Sequence, residues 1–243
     1  LTAGEDFDSA VRGKKRLEEL KKKELVPNDA QLLALARCIG SRLHFIWGPP
    51  GTGKTSCLAQ VVRTLAAEGE RILLLAHSNA AVDVAMLRVA ETFEGSQELQ
   101  GGKILRIGIA QLPEMYKNET IMPEAIIERT KPELIARIKT LDKKKRELAR
   151  QVAAEASRDR REALGQEFSR VRKDLNSAYL SLDEEQRRLD KNATVLGATL
   201  SKYAIDDDLG NWGADTVVID ETSMAGFPFI FSAALRAKKR ILL

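Results

Sequence analysis

Cysteine is scarce in this chain, which holds two among 243 residues. Cys38 and Cys57 are too few for a disulfide framework and cannot form a zinc site by themselves. Both fall in segments with a helical pattern, where a small buried thiol is the expected role. The sequence contains no run of 18 apolar residues that would predict a membrane span, and its start shows no secretory signal. These absences favour a cytoplasmic protein in a reducing compartment.

Aromatic residues are also few, at 5% of the chain, whereas charged residues reach 30%. A hydrophobic fraction of 44% allows a sizeable core, and because the charged fraction exceeds the usual quarter, part of the chain must be strongly solvated. The net charge of +4 is weak evidence for nucleic-acid binding. The length allows one large domain or one domain with a big insertion. Because the chain begins at Leu1 without methionine and ends within an apolar run at Leu243, we expect a fragment of a longer protein.

Apolar runs alternate with helical patterns along most of the sequence. Strands are predicted at 43–47, 71–76, about 103–108, 194–199, 216–220 and about 239–243, and helices at 30–39, 54–67 and 79–93. Continuous apolar strands separated by helices are typical of a parallel sheet covered on both faces, so the predicted fold class is α/β. A basic helix is expected over residues 5–25, where a solvated face is favoured over a nucleic-acid contact.

One octapeptide matches the phosphate-binding loop pattern G-x-x-x-x-G-K-[ST] in full: Gly48-Pro49-Pro50-Gly51-Thr52-Gly53-Lys54-Thr55. A predicted buried strand precedes it and a predicted helix follows it, which is the context that the motif requires. Glycines let successive backbone amides point at phosphate oxygens, and the helix N-terminus adds the positive end of its dipole. Lys54 is expected to reach the β- and γ-phosphates, and Thr55 to hold Mg²⁺ through its hydroxyl. The sequence therefore predicts a nucleoside-triphosphate site.

Two adjacent acids, Asp220 and Glu221, end the apolar run Val217-Val218-Ile219. The carboxyl ends of parallel strands are where open α/β sheets place their ligands. Asp220 is expected to hold Mg²⁺, directly or through water, and Glu221 to orient and deprotonate the attacking water. The acid pair favours hydrolysis over phosphate transfer onto a small molecule.

Two polar segments accompany the predicted nucleotide site. Ser78 and Asn79 begin the helix after the second strand, where they are good helix caps and where backbone amides could also bind a nucleic-acid phosphate. In the segment Asn28-Asp29-Ala30-Gln31, the Gln31 amide offers a donor and an acceptor that suit the Hoogsteen edge of adenine. Residue types alone leave structural and binding roles open for both segments.

Residues 123–191 differ from the rest of the chain because 18 of them are Lys or Arg and 14 are Asp or Glu. Two apolar seams predict an antiparallel helical hairpin that projects from the core, with arms of about 45 Å and a break near Ser157. The seams are Ile127, Leu134, Ile138, Leu141, Leu148 and Val152, and then Leu164, Phe168, Val171, Leu175, Ala178, Leu182 and Leu189. A structural or partner-docking arm and an electrostatic grip on a phosphate backbone fit this composition equally well.

Together these segments resemble the first RecA-like motor domain of a superfamily 1 helicase, in the 1B group that includes the nonsense-mediated-decay RNA helicase. Asn28 to Gln31 resembles the Q motif, Gly48 to Thr55 motif I, Ser78 to Asp83 motif Ia, and Asp220 to Ser223 motif II, where Thr222 replaces a common alanine. Gly197-Ala198-Thr199 resembles a further contact motif. The resemblance implies ATP-binding roles for Asn28, Gln31 and residues 48–55, and nucleic-acid contacts for Ser78, Asn79 and Thr199.

The same resemblance implies an ATP- and Mg²⁺-dependent motor on single-stranded DNA or RNA, with 5′-to-3′ polarity. It divides the chain into a basic N-terminal helix (1–27), a RecA-like domain in two parts (28–110 and 192–243) and a helical-hairpin insertion (111–191). Motif III and a second RecA-like domain with arginine fingers would follow Leu243. The chain alone is therefore expected to bind nucleotide with little turnover.

Two other ATPase classes stay open from the residues. A tethering ATPase of the Rad-fifty or chromosome-maintenance type also places a coiled coil between the loop and the acid pair, but it needs a Leu-Ser-Gly-Gly string that is missing from this sequence. An AAA+ ATPase that remodels proteins shares the GPPGTGKT string but would lack the motifs of Gln31 and Ser78. Stimulation of ATP hydrolysis by single-stranded DNA or RNA would separate the motor from both.

Overall fold

The computed structural model describes residues 29–49, 51–116 and 118–243. The predicted N-terminal basic helix, Asn28 and Pro50 lie outside the described residues. The chain divides into two compact units, which we call the sheet unit (residues up to Met122 together with Asn192–Leu243) and the hairpin unit (Pro123–Lys191). No helix of the described residues is long and apolar enough to cross a membrane.

Helices and strands follow one another in chain order. The first part of the sheet unit contains α1 (Asp29–Gly40), β1 (Leu43–His44), α2 (Lys54–Ala67), β2 (Ile72–Ala76), α3 (Asn79–Thr92), α4 (Gln97–Gln100), β3 (Ile104–Arg106) and α5 (Pro113–Tyr116). The hairpin unit contains α6 (Pro123–Thr130), α7 (Pro132–Ala154) and α8, which runs from Arg158 to Asn192. The chain then returns through β4 (Val195–Thr199), α9 (Leu200–Ile205), α10 (Asp207–Gly210), β5 (Thr216–Asp220), α11 (Phe227–Arg236) and β6 (Arg240–Leu242).

The described strands form one six-stranded sheet in which all pairs are parallel, in the order β1-β6-β5-β2-β4-β3. Strand β2 lies between β4 and β5 and is buried along its whole length. Its apolar residues share a core with the buried residues of α2 and α3. The predicted α/β fold, a parallel sheet flanked by helices, is thereby confirmed.

The prediction of a buried strand over residues 43–47 is wrong. The strand β1 ends at His44, Leu43 is 54% exposed and Trp47 is 90% exposed. Strand β1 lies at one edge of the sheet and pairs with β6 alone among the described strands, which accounts for its short ladder. Edge position alone does not expose a strand, since β3 at the other edge is buried. Parallel pairing still continues past the strand end, where the Ile46 amide donates to the carbonyl oxygen of Leu243 at 2.7 Å.

A buried carboxylate at the amino end of the sheet ties three strands together. Glu70 is 4% exposed and precedes β2. It accepts a 2.6 Å hydrogen bond from the Thr216 hydroxyl of β5 and a 2.9 Å bond from the Arg240 guanidinium of β6. Because burial of a charge is unfavourable unless it is paired, this cluster fixes the alignment of the strand starts.

In the hairpin unit, α7 and α8 run antiparallel. The buried residues Ile138, Leu175 and Ala178 pack together. The ion pair Lys131–Glu185 joins the start of α7 to the later part of α8, and Lys144–Glu167 joins the middle of α7 to the early part of α8. Glu155 to Ser157 separate the two helices, close to the predicted break. The lengths are about 35 Å for α7 and about 52 Å for α8 at 1.5 Å per residue. Ile127 belongs to the separate helix α6, because Pro132 begins a new helix at a position where its missing N–H is harmless.

Candidate functional site

The loop between β1 and α2 forms the first part of the candidate site. Gly51 and Gly53 both adopt positive φ angles (78° and 79°), which glycine tolerates best. Lys54 folds back over the loop and donates to the carbonyl oxygens of Gly48 at 2.7 Å and Pro49 at 3.0 Å. The Thr52 hydroxyl also donates to the Pro49 carbonyl, at 2.9 Å. The described residues of the loop therefore curl around the lysine at the start of α2.

Gln31 on α1 contacts this loop directly. Its side-chain amide donates a 3.1 Å hydrogen bond to the carbonyl oxygen of Thr52. A Cβ atom placed on Gly53 would lie 2.7 Å from the same amide nitrogen, which ends a flexible side chain, so the positive φ angle is the stronger reason for glycine at this position. The structure thus brings Gln31 to the phosphate-binding loop, although the residues are 21 apart in sequence.

Asp220 lies next to the phosphate-binding loop. It is the last residue of β5, and its Oδ2 atom accepts a 3.2 Å hydrogen bond from the Thr55 hydroxyl, across 165 positions of sequence. Its Oδ1 atom accepts a 2.9 Å bond from the Glu221 amide. The loop and the acid pair therefore converge at one place, at the carboxyl end of the sheet.

Glu221 has a strained backbone. Among the described residues it is the one non-glycine with a positive φ angle, at 53°. The Thr222 hydroxyl donates to the carbonyl oxygen of Ile219 at 3.0 Å and helps to hold this turn. Such strain persists where the surrounding structure over-determines it, and it clusters at functional sites. Glu221 is exposed and follows Asp220 directly in the chain.

The donor set at this point suits Mg²⁺ bound together with a phosphate. A hydroxyl and a carboxylate oxygen lie 3.2 Å apart, and hard oxygen ligands are those that Mg²⁺ prefers. No group of three or more His, Cys, Asp or Glu side chains among the described residues could hold a metal by itself. That is compatible with Mg²⁺, which usually takes one or two protein oxygens and completes its shell with water and substrate phosphates.

Ser78 and Asn79 lie at the N-terminus of α3, beside the same edge of the sheet. The Ser78 hydroxyl caps the helix by accepting a 3.1 Å bond from the Ala81 amide. The Asn79 Oδ1 atom accepts a 3.0 Å bond from the Arg106 guanidinium. Because arginine has no acceptor, this contact identifies the oxygen of the Asn79 side chain and fixes the orientation of its amide.

Arg106 is the functional neighbour that the sequence did not single out. Its side chain is fully buried and pairs with the equally buried Asp83 at 2.7 Å. Asp83 Oδ2 also accepts hydrogen bonds from the backbone amides of Gln111 and Leu112, at 2.6 and 2.9 Å. The pair therefore ties α3 to the loop after β3. A basic residue within the apolar run of a predicted strand was the signal that could have found it.

Thr199 lies at the end of β4 and caps α9, since its hydroxyl accepts a 3.1 Å bond from the Lys202 amide. Gly197 in the same motif is explained by packing, because a Cβ atom there would lie 2.3 Å from the Met86 sulfur. In the sheet register, Ala76 of β2 pairs with Thr199 on one side and with Asp220 on the other. Thr199 and Asp220 thus occupy the same row of the sheet, on either side of the strand that leads to Ser78.

Both cysteines are buried, as expected from the sequence. Burial raises the pKa of the Cys38 thiol to about 12 and that of the Cys57 thiol to about 11. Cys57 Sγ lies 3.6 Å from the carbonyl oxygen of Gln31, behind the phosphate-binding loop. Both groups are therefore packed, protonated thiols between α1 and α2.

Comparison with known proteins adds to this geometry. A family model described as "AAA domain" matches residues 27–243. Among curated proteins, "DNA replication ATP-dependent helicase/nuclease DNA2" of Saccharomyces cerevisiae is 40% identical over 47 residues, which are 19% of this chain and 3% of that protein. "DNA polymerase alpha-associated DNA helicase A" of the same yeast is 35% identical over 82 residues, 33% of this chain and 12% of that protein.

A third relative is "NFX1-type zinc finger-containing protein 1 homolog" of Caenorhabditis elegans, 29% identical over 114 residues, which are 43% of this chain. The chain spans between 3 and 12% of the length of these three relatives. The family match covers both the phosphate-binding loop and the acid pair.

Proposed function

This chain belongs to the AAA domain family, and on that premise we propose that it is the ATP-hydrolysing part of a helicase or translocase that moves on single-stranded DNA or RNA. One observation carries the proposal: the 3.2 Å contact between the Thr55 hydroxyl and Asp220, which joins the loop to the acid pair. The names of the yeast relatives support a helicase. No comparable support exists among these relatives for the tethering or the protein-remodelling alternative.

In the proposed mechanism, ATP binds with its phosphates on the backbone amides from Gly51 to Thr55, since Pro49 and Pro50 have no N–H, and with its adenine beside Gln31. Lys54 exchanges its contacts with the Gly48 and Pro49 carbonyls for contacts with phosphate oxygens, since an ammonium pairs better with an anion. Thr55 and Asp220 would hold Mg²⁺, and the bound ion would supply positive charge opposite the phosphates. Glu221 orients the attacking water and accepts its proton.

We further propose that nucleic acid binds at the same edge of the sheet. The N-terminus of α3 offers backbone amides and the Asn79 amide group, and Thr199 lies in the same row of the sheet as Asp220. Strand β2 lies between the strands that end at these two residues. A shift at Asp220 on hydrolysis would therefore pass to Thr199 and Ser78 through one hydrogen-bonded layer.

The remaining partners follow from the same proposal. A second RecA-like domain would supply the arginine fingers, and the division into residues 1–27, 28–110, 111–191 and 192–243 is the domain plan that we propose. The relative whose name refers to DNA replication supports an intracellular location.

The decisive experiment measures ATP hydrolysis by the full-length protein with and without single-stranded DNA or RNA. We expect at least one of them to raise the rate about tenfold or more. Glu221→Gln should lower hydrolysis by about 10²-fold or more, the usual range for a general base, and should leave nucleotide binding unchanged.

Glu94→Gln is the matched control, because Glu94 is an exposed acid of the same unit away from the loop. The motor proposal is wrong if neither nucleic acid changes the rate. An active Glu221→Gln protein with normal stimulation would reassign the base and leave the motor standing.

A further inference from the structure

Charge is unevenly distributed within the hairpin unit. The segment 137–173, centred on the break between α7 and α8, holds 13 Lys or Arg and 6 Asp or Glu. We call it the turn segment. The other residues of 123–191, which we call the base segment, hold 5 Lys or Arg and 8 Asp or Glu. The net charge is +7 for the turn segment and −3 for the base segment, so the basic excess of the hairpin unit is concentrated in the turn segment.

The basic side chains of the turn segment are available at its surface. Twelve of the 13 are exposed, and Lys145 is half-buried. Four of them form what we call the α7 stripe, at spacings of four, three and four residues: Lys139, Lys143, Arg146 and Arg150. That spacing places them on one helix face, away from Ile138, Leu141 and Leu148 on the seam. The stripe extends over about 16 Å at 1.5 Å per residue.

Acidic side chains near the stripe form only exposed, weak ion pairs with it. Arg146 pairs with Asp142 and Lys139 pairs with Glu128, each at 2.7 Å, and the basic side chains are 75% and 70% exposed. Ion pairs of this kind contribute about 0–1 kcal/mol and are screened by salt. A polyanion with closely spaced charges can therefore displace them.

The turn segment exposes no large apolar side chain among its described residues. Within the described residues, the exposed large apolar side chains of the hairpin unit are Tyr179 and Leu180, both in the base segment. Interfaces between proteins depend on buried aromatic and apolar anchors. Phe168 is half-buried in the seam, so the turn segment also has no exposed aromatic ring for stacking on bases.

We propose that the turn segment is a second nucleic-acid site, which binds the phosphate backbone through the α7 stripe without reading sequence. A duplex carries one charge per about 1.7 Å of its axis, so about nine phosphates fall within the length of the stripe. The inference rests on the proposed nucleic-acid partner, but the site lies outside the ATPase residues. Of the two roles that the sequence left open for the hairpin, it favours the electrostatic grip on a phosphate backbone. The protein would then hold nucleic acid at two places, the hairpin unit and the edge of the sheet beside the ATP site.

The test is a fourfold variant of the full-length protein, Lys139→Gln, Lys143→Gln, Arg146→Gln and Arg150→Gln, which preserves helix-forming side chains. Binding of a labelled 20-base-pair duplex and a labelled 20-nucleotide single strand is measured over a series of salt concentrations. Each phosphate contact contributes about 0.9 to the salt slope for a duplex and about 0.7 for a single strand. We expect the slope to fall by about 3 to 4 for the duplex and by about 3 for the single strand.

The matched control removes the same number of charges from the base segment, with Arg129, Arg187, Arg188 and Lys191 all changed to Gln. It should change the salt slope much less than the stripe variant does. Basal ATP hydrolysis and nucleotide affinity should be unaltered in both variants, because all the substituted residues belong to the hairpin unit and the ATPase residues to the sheet unit. Melting temperatures of both variants confirm folding.

Three outcomes would overturn the proposal. Equal slopes for the wild-type protein and the stripe variant would remove the α7 stripe from the contact. Equal losses in both variants would mean that net charge, not a site, drives binding. If the wild-type protein binds neither probe and its ATP hydrolysis is not stimulated by nucleic acid, the motor proposal is overturned too. If nucleic acid stimulates ATP hydrolysis but the stripe variant keeps the wild-type salt slope, only the present inference is overturned.

Discussion

The two units of this protein treat charge in opposite ways. In the sheet unit, the ion pair Arg106–Asp83 has both side chains at 0% exposure, and a network of hydrogen bonds surrounds it. In the hairpin unit, the pair Lys144–Glu167 has the same 2.7 Å separation but side chains that are 52% and 47% exposed. Equal distances thus accompany very different environments.

The two environments determine whether a charged side chain can exchange its partner. A buried pair is committed to its partner, because separation would leave an uncompensated charge away from water. An exposed pair competes with water and salt and exchanges partners readily. The sheet unit therefore uses charge to position the elements around the ATP site, and the hairpin unit retains charge that an external polyanion can engage.

The largest expected effect separates the units by function. Lys54→Ala should abolish ATP binding, raising the dissociation constant by about 100-fold or more, because the charge that faces the phosphates is removed. Binding of a duplex at low salt should persist through the hairpin unit. Titration with a fluorescent ATP analogue and with the labelled duplex measures both.

Lys103→Ala is the control for this prediction, since Lys103 is an exposed lysine of the same unit. If Lys54→Ala also eliminated duplex binding, the two units would not act separately and the comparison would fail.

The second expected effect compares the two ion pairs by stability. Arg106→Met should lower the free energy of unfolding of the sheet unit by about 3–5 kcal/mol, because it leaves Asp83 buried and unpaired. Lys144→Met should change stability by about 1 kcal/mol or less. Urea unfolding followed by far-ultraviolet circular dichroism reports the helices of both units, and tryptophan fluorescence reports the sheet unit alone, since Trp47 and Trp212 both belong to it.

Arg106→Lys sharpens this measurement, because lysine keeps the charge but cannot reproduce the guanidinium contacts with Asp83 and Asn79. An intermediate loss of stability is expected. Similar small losses for Arg106→Met and Lys144→Met would show that burial makes no difference between the pairs.

The smallest expected effect concerns the thiols of the sheet unit. The raised pKa values of about 12 for Cys38 and about 11 for Cys57 keep both protonated in the folded state, whereas an unfolded thiol ionises near pH 8.5. Their contribution to stability is present below about pH 8.5 and is lost as pH rises toward the folded values. Alkylation at pH 8 should be slow in the native protein and fast in urea.

Cys38→Ala and Cys57→Ala identify which thiol reacts. Fast alkylation of the native protein at pH 8 would contradict the buried, protonated state of both cysteines. It would also mean that the packing between α1 and α2 opens readily.

Local sequence predicted the elements that carry their own pattern. The helix 54–67 and the strand 216–220 have the predicted bounds, because a glycine loop and an acid pair terminate strong apolar periodicity. The strand 43–47 was predicted from the same kind of apolar run, yet it lies at one edge of the sheet, ends at His44 and is partly exposed. Whether a strand lies at the edge or in the centre of the sheet depends on its pairing with distant strands, which no local pattern encodes.

Arg106 illustrates the part that sequence could not supply. Its partner Asp83 lies 23 residues away, and its contacts with Asn79 and the loop after β3 depend on how α3 packs on the sheet. In the hairpin unit the seam residues were predictable, since contacts there repeat along helices. Its charge division was equally visible in the sequence, but the placement of the α7 stripe on an exposed face required the helices.

The order of residues alone determined that a phosphate-binding loop and an acid pair are present, because each is a short motif with its own chemistry. Only the tertiary structure decided that Thr55 meets Asp220, that Gln31 reaches the loop and that Arg106 is buried with Asp83. The reason is that parallel strands bring their carboxyl ends to one edge regardless of their separation along the chain. Distance in sequence carries no information about that edge until the strand order is known.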